Sequence, residues 1–388
     1  MRLLRLAAPF LCLVLTIPTA FAQTIQGGQP AGARWTTERA NQWYEEQSWL
    51  VGANFLPSDA INQLEMFQAA TFNPALIDRE LGMAESIGMN TVRVFLQDQL
   101  WQQDSQGFTK RLDLFLSIAD KHHIKPLLVL FDSCWENNPK LGMQHPPIPG
   151  IHNSGWVQSP GKARLLDIAV EPQLEAYVKG TVGAFANDPR ILGWDIWNEP
   201  DNRGLDTQED LPAKVARVEV LLPKAFAWAR SMRPMQPLTS GVWDGDWTDP
   251  TKESQMTKIQ LAESDVITFH SYAWPEEFER RIQSLKPLGR PILCTEYMAR
   301  GIGSTFDTAL PIAKKENVGA INWGLVAGKS QTYLPWDSWQ RPYVLTRPAV
   351  WFHDVFKQDD TPYRQHEVDL IRELTRRGSN ASTVQPKP

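Results

Sequence analysis

Cysteine is scarce in this chain of 388 residues: there are three, and Cys12 falls in an N-terminal leader. The other two, Cys134 and Cys294, sit in or at the ends of apolar runs that are far apart in sequence. No disulfide framework can be built from them, and buried free thiols are the expectation. Beyond the leader no stretch is apolar enough to span a bilayer. No Gly-x-Gly-x-x-Gly turn follows the first apolar run, so the signature of a dinucleotide-binding sheet is missing. Internal repeats and long low-complexity linkers are absent as well. His122 and His123 are adjacent, and adjacent helical residues do not share a face; Glu45-Glu46 has no matching ligand set. Neither a metal nor a cofactor is therefore expected. A net charge of −5 argues against nucleic acid and anionic membranes as partners.

The leader has a basic start (Met1-Arg-Leu-Leu-Arg), a mostly apolar stretch from Leu6 to Leu15, and a small-x-small site at Ala20-Phe21-Ala22. This is the pattern of a signal peptide over residues 1–22, and it predicts a secreted or periplasmic protein. Residues 23–377 are expected to form one domain that works as a monomer. The tail 378–388 has the composition of a disordered segment.

Between leader and tail, short apolar runs alternate with helical patterns. The runs begin at Trp49, Thr91, Pro126, Ile191, Pro237, Val266, Pro291 and Gly319. Continuous apolar runs suit strands covered on both faces. After the first run, Asn73-Pro74 supplies an N-cap and a proline fit for the first helical position, and Gly88 closes the pattern. Leu112, Phe115, Leu116 and Ala119 recur at helical spacing after the second run, and Leu174, Val178 and Phe185 after the third. Helices are further predicted over about Val215 to Arg230, around Phe278, Ile282 and Leu285, and near Val368 to Arg376. Eight strand signals with helical crossovers predict an α/β fold: a single (β/α)8 TIM barrel. An open doubly wound sheet is the alternative. Long loops are predicted after strand three, from Asp132 to about Ile168, and after strand eight, from Leu325 to about Val350. Loops of that length are usually functional, and following strands puts them on the C-terminal face.

Two of the runs end in glutamate. The fourth closes on Trp197-Asn198-Glu199-Pro200 and the seventh on Glu296-Tyr297. Carboxylates ending strands four and seven can face each other across the mouth of a barrel. Glycosidic bond cleavage needs such a pair: an acid at the leaving oxygen and a second carboxylate as nucleophile or base. Sixteen tryptophans are compatible with sugar-stacking platforms, although large cores also use this residue.

At this point the chain, over about residues 48–375, resembles a retaining glycoside hydrolase of clan A, nearest the cellulase-like family 5. The resemblance rests on Asn198-Glu199 on strand four, Glu296 on strand seven, Arg93 on strand two, His270-Ser271-Tyr272 on strand six and Trp323 on strand eight. It implies that Glu199 is the acid/base, with a pKa raised by the charge of Glu296, and that Glu296 is the nucleophile. It also implies that Arg93 holds Glu296, that Tyr272 donates to Glu296 or to the sugar ring oxygen, and that Asn198 contacts the sugar 2-hydroxyl. His270 would bind a hydroxyl or orient Glu199, and Trp323 would floor the site. Arg93 in a structural ion pair and His270 as a core histidine are the alternatives. Asn54, Asp132, Trp135, Trp243 and Trp274, also at strand ends, are further candidates for the cleft wall. Cys294 is expected on the same face as Glu296. The chain departs from the family at strand three, where the usual histidine is replaced by Phe131-Asp-Ser-Cys-Trp135. The implied substrate is an oligo- or polysaccharide with β-linkages, such as β-glucan or β-mannan. Transfer to a sugar hydroxyl, or sugar binding without turnover, are the competing activities.

Overall fold

A computed structural model describes residues 32–376. The leader and the tail lie outside the described residues. The eight apolar runs form eight strands: β1 Val51–Asn54, β2 Thr91–Phe95, β3 Lys125–Asp132, β4 Gly193–Asn198, β5 Leu238–Thr239, β6 Ile267–His270, β7 Ile292–Glu296 and β8 Gly319–Trp323. Every pairing is parallel, in the order β5-β4-β3-β2-β1-β8-β7-β6. The ends of that order meet just past β5. Val242 N donates to Thr268 O at 3.0 Å and His270 N to Val242 O at 2.9 Å. The sheet thus closes into the expected (β/α)8 barrel.

Helices cover the outside because their apolar stripes have nowhere else to go. Phe108, Leu112, Phe115, Leu116 and Ala119 of Ser105–Lys121 are all buried, and the helix Pro74–Ser86 starts where Asn73 Oδ1 accepts from Leu76 N. The helix after β4 runs Leu211–Ser231, a turn longer at its start than its apolar pattern indicates. One further helix, Thr37–Glu45, precedes β1 and went unread because its few apolar residues are diluted by charge. Its Ala40 and Tyr44, with Trp35, join Leu50, Leu127, Leu192, Val266, Leu293 and Ile321 in one buried cluster. These residues lie at the starts of six strands, so the helix stoppers the N-terminal end of the barrel.

The interior changes character toward the other end. Asn54, Arg93, Asp195, Thr239, Thr268, Thr295 and Asn322 are all buried polar residues on or beside the strands. Register aligns the site. Asn54 lies beside both Arg93 and Trp323, Asp132 beside Asn198, and His270 beside Glu296. The last pairing follows an irregularity in the β6–β7 ladder, where Phe269 pairs with Cys294 and the next residue skips to Glu296. That bulge breaks the alternation of faces. Cys294 belongs to the apolar cluster with Phe269 and Phe278, so it does not share the face of Glu296 as expected from spacing alone.

Candidate active site

The site is organised around one guanidinium. Arg93, fully buried, donates from Nε and Nη2 to Asp195 Oδ2 (3.0 and 2.7 Å), from Nη1 to Asn54 Oδ1 (3.0 Å) and Glu296 Oε1 (2.8 Å), and from Nη2 to Asn198 Oδ1 (2.7 Å). Those five bonds use all five of its N–H groups. A buried cation with two carboxylate partners is both a structural ion pair and an orienting clamp, which joins the two readings of Arg93.

Glu296 accepts a second bond from the Tyr272 hydroxyl at 2.9 Å. Glu199 faces it. Glu199 Oε1 lies 2.8 Å from His270 Nδ1, and Oε2 accepts from Asn202 Nδ2 (2.5 Å) and Cys134 Sγ (3.2 Å). His270 Nδ1 is also 3.7 Å from Glu296 Oε2. Oxygens of the two glutamates and His270 Nδ1 all fall within 4.8 Å of one another. Glu199 takes a left-handed φ of 42°, a conformation that non-glycine residues adopt at a cost and that gathers at functional sites.

Burial pushes both glutamates above the usual carboxylate range. The largest cause at Glu199 is desolvation, opposed by hydrogen bonds from Asn202 and Cys134, and the mutual repulsion of the two carboxylates adds to the rise at Glu296. Glu296 alone accepts from Arg93 and Tyr272, and both contacts favour its ionised form. Burial also lowers His270 to about 4, which leaves the imidazole neutral at physiological pH. Its Nε2 has no protein partner and the residue lines the cavity. The Cys134 thiol is pushed well up by burial, so it acts as a neutral S–H donor to Glu199.

Above these residues opens a cavity of about 350 Å³, lined by Glu199, Glu296, Asn198, His270, Tyr272 and Trp323 among others. Trp135 and Trp243 line it too, and Trp243 Nε1 donates to Asp201 at 2.6 Å. Asn198 has its carbonyl committed to Arg93 and one N–H to Asp132 (2.8 Å). The other N–H meets only the Cys134 sulfur at 3.4 Å, a weak bond that a sugar hydroxyl can displace.

Three candidates are placed elsewhere. Asn54 lies below the cavity, where its amide donates to Thr295 O and Asn322 O while its carbonyl takes Arg93. Asp132 is also beneath, bound to Asn198, to Trp156 Nε1 (2.5 Å) and to the Cys134 amide. Both strand ends point into the barrel, so their polar groups are used up in bracing the layer above. Trp274 is 65 % exposed and packs over Gly303, outside the cavity, because the chain has already turned into the helix Pro275–Leu285.

Sequence reasoning missed Cys134 and Asn202 as partners of Glu199, and His152, Asn153 and Arg281 as wall residues. Trp156, noticed only as part of a long loop, stands edge-on to both Phe95 (4.9 Å) and Trp323 (5.6 Å). Loop residues carry no periodicity that would reveal them. Among the described residues two groups bring three metal-ligating atoms together: Glu199–His270–Glu296 and Asp307–His366–Glu367. Each already has protein partners, Arg93 and Tyr272 on Glu296 and Arg300 on Glu367.

No protein-family model matches the chain. It is similar to mannan endo-1,4-beta-mannosidase F of Aspergillus clavatus, with 22% identity over 208 residues, 48% of this chain and 44% of that protein. The chain thus matches less than half the length of that curated relative. Among solved structures it superposes on GH5_18 from Streptomyces cattleya in complex with Manβ1-4GlcNAc (TM-score 0.59, 14% identity, 88% of this chain and 83% of that one). It also superposes on an endo-β-1,4-mannanase from Thermotoga petrophila (TM-score 0.53, 14% identity, 89% and 80%). A third is the exo-β-1,4-mannosidase Op5Man5 from an Opitutaceae bacterium (TM-score 0.54, 16% identity, 84% and 59%). At these identities the likeness establishes the barrel fold, and the first of these neighbours carries a family 5 designation in its name.

Proposed function

We propose that the protein is a retaining glycoside hydrolase that cleaves β-linked glycans of the mannan type. The observation that carries this reading is the approach of Glu199 and Glu296 oxygens to within 4.8 Å across one cavity. Retaining enzymes hold their carboxyl groups ~5–5.5 Å apart, whereas inverting ones need ~6.5–9.5 Å to admit a water. Mannan activity in the matched relative and neighbours supports the substrate class. The leader pattern supports export.

In this mechanism a sugar rests on Trp323 with its anomeric carbon over Glu296. Arg93 and Tyr272 aim the Glu296 carboxylate at that carbon. Glu199, kept protonated by burial, gives its proton to the departing oxygen. A glycosyl ester forms on Glu296. Glu199, now ionised and supported by Asn202 and Cys134, takes a proton from water as that water attacks the anomeric carbon, and the bond to Glu296 breaks to release its carboxylate. The sugar leaves with its configuration unchanged after two inversions. Asn198 meets the 2-hydroxyl with its weakly held N–H.

Activity should follow a bell in pH, with an acid limb from Glu296 and a basic limb from Glu199. Asn202 stabilises ionised Glu199, so Asn202→Ala should move the basic limb of kcat/KM to higher pH. A limb that moves down or stays put would remove Asn202 from this role. The function itself is tested with aryl β-glycosides and polysaccharides, β-mannan and β-glucan among them. Turnover of β-mannan or an aryl β-mannoside is expected. Binding of mannan without turnover of any β-glycoside would mark the protein as a sugar-binding one instead.

A further inference from the structure

The two long connections are sewn together over one side of the cavity. Asn153 N donates to Ser330 O (2.8 Å), His152 N to Ser338 Oγ (2.9 Å) and Gly150 N to Gln331 Oε1 (3.1 Å). Gln331 Nε2 returns bonds to Ile148 O and Ile151 O at 2.7 and 2.9 Å. Trp135 lies flat on Trp339, with centroids 5.1 Å apart and planes 11° apart. The segment after β1 pins the same wall from below, through Asn62 Nδ2 to Gly155 O (2.8 Å) and Gln63 Nε2 to Val157 O (2.5 Å). The wall therefore stands over β1, β2 and β8. Its far end reaches Tyr272, where Trp336 meets that ring edge-on at 5.0 Å.

The rim between β4 and β6 is tied to the first loop by Leu205 N to Trp135 O (2.9 Å) and Gln158 Nε2 to Asp206 Oδ2 (3.4 Å), and beyond those bonds its edge reaches solvent. There the edge is formed by Asn202, Arg203, Gly204, Trp243 and Arg281, and Asp244 and Gly245 beside them are exposed. Glu199 sits on this side, at the end of β4. An acid has to reach the oxygen that departs, so the leaving part of a substrate extends over the β4–β6 rim. The sugar that is retained then lies against the wall.

One wall residue is unfinished. Asn153 is 1 % exposed, lines the cavity, and its Oδ1 has no hydrogen-bond partner. Its backbone is fixed on both sides, by Ser330 O on its N–H and by Trp156 N on its carbonyl. A buried amide oxygen left without a donor costs roughly 1–3 kcal/mol, and a sugar hydroxyl is the donor that this cavity would bring to it.

We propose that the wall closes the cavity beyond a single sugar, so that the enzyme removes β-linked sugars one at a time from the non-reducing end, with the Asn153 carbonyl accepting from a hydroxyl of that terminal sugar. The inference rests on the glycosidase reading and adds the direction and unit of cleavage. Neighbours in structure include both an endo- and an exo-acting enzyme by name, so they leave this choice to the loops.

The test is time-resolved digestion of a β-1,4-linked manno-hexasaccharide labelled at its reducing end. Exo action yields monosaccharide first, with labelled five-, four- and three-sugar products appearing in that order. Fragments of two or more sugars released from the unlabelled end at the earliest times would overturn the proposal while leaving the glycosidase intact. No cleavage of any β-glycoside would instead sink the glycosidase reading and this inference with it. Asn153→Gly tests the contact separately. Asn153 has φ 51°, which glycine adopts freely, so the amide is removed without backbone strain. KM for an aryl β-mannoside should rise about ten-fold with kcat changed much less, the size of one lost hydrogen bond. An unchanged KM would take Asn153 out of the subsite.

Discussion

Glu296→Ala is expected to lose turnover of an aryl β-mannoside by on the order of 10⁴- to 10⁶-fold while keeping the fold and the affinity for oligosaccharide. In the proposed mechanism the side chain lost is the one that bonds to the anomeric carbon. His270 is neutral and turned toward Glu199, and Cys134 is a protonated thiol on the far side of Glu199. A small external nucleophile sharpens the result. Azide entering the space left by Glu296 should restore some turnover of an activated substrate and give the glycosyl azide of inverted configuration. Glu199→Ala should behave differently. With a good leaving group its first step survives, the ester on Glu296 accumulates, and azide gives the product of retained configuration. Near-normal hydrolysis by Glu296→Ala would remove Glu296 from the nucleophile role.

Replacing Arg93 should strike stability as hard as activity. Arg93→Met leaves Asp195 and Glu296 buried, 0 % and 5 % exposed, with no cation between them. Breaking a buried pair by removing one partner costs about 3–5 kcal/mol. A fall in Tm of roughly 5–10 °C is expected, together with loss of turnover. Arg93→Lys keeps the charge but offers three donors where five are in use. It should recover part of the stability and little of the activity, because Asn198 and Glu296 are no longer held by one rigid fork. Thermal unfolding of the two variants beside the wild type measures this. A Met variant as stable as the wild type would show that the cluster does not depend on its cation.

The barrel and the two facing glutamates were legible because both are written in local pattern. An apolar run that stops at a polar residue marks the C-terminal end of a buried strand, and Arg93, Glu199, His270 and Glu296 all stand at or near such ends. The same rule misplaced Asn54 and Asp132, since ending a strand does not say whether a side chain faces the cavity or braces the layer below. It misplaced Trp274, which is already past the turn into its helix. The β6–β7 bulge, which separates Cys294 from Glu296, leaves no mark in the spacing. Nor did the charge logic foresee that burial leads the rise at Glu199, with Asn202 and Cys134 opposing it. The wall was visible only as two loops too long to be idle. That they are stitched to each other, and that Asn153 in the cavity lining is left with an unpartnered carbonyl, depends on contacts between segments some 180 residues apart.

The most direct measurement of the central claim is the anomeric configuration of the first product, followed by NMR from the start of hydrolysis of an aryl β-mannoside. Double displacement through Glu296 releases the β-anomer first, with the α-anomer growing in later by mutarotation. Initial release of the α-anomer would contradict a covalent intermediate on Glu296 and the close carboxyl pair as its basis.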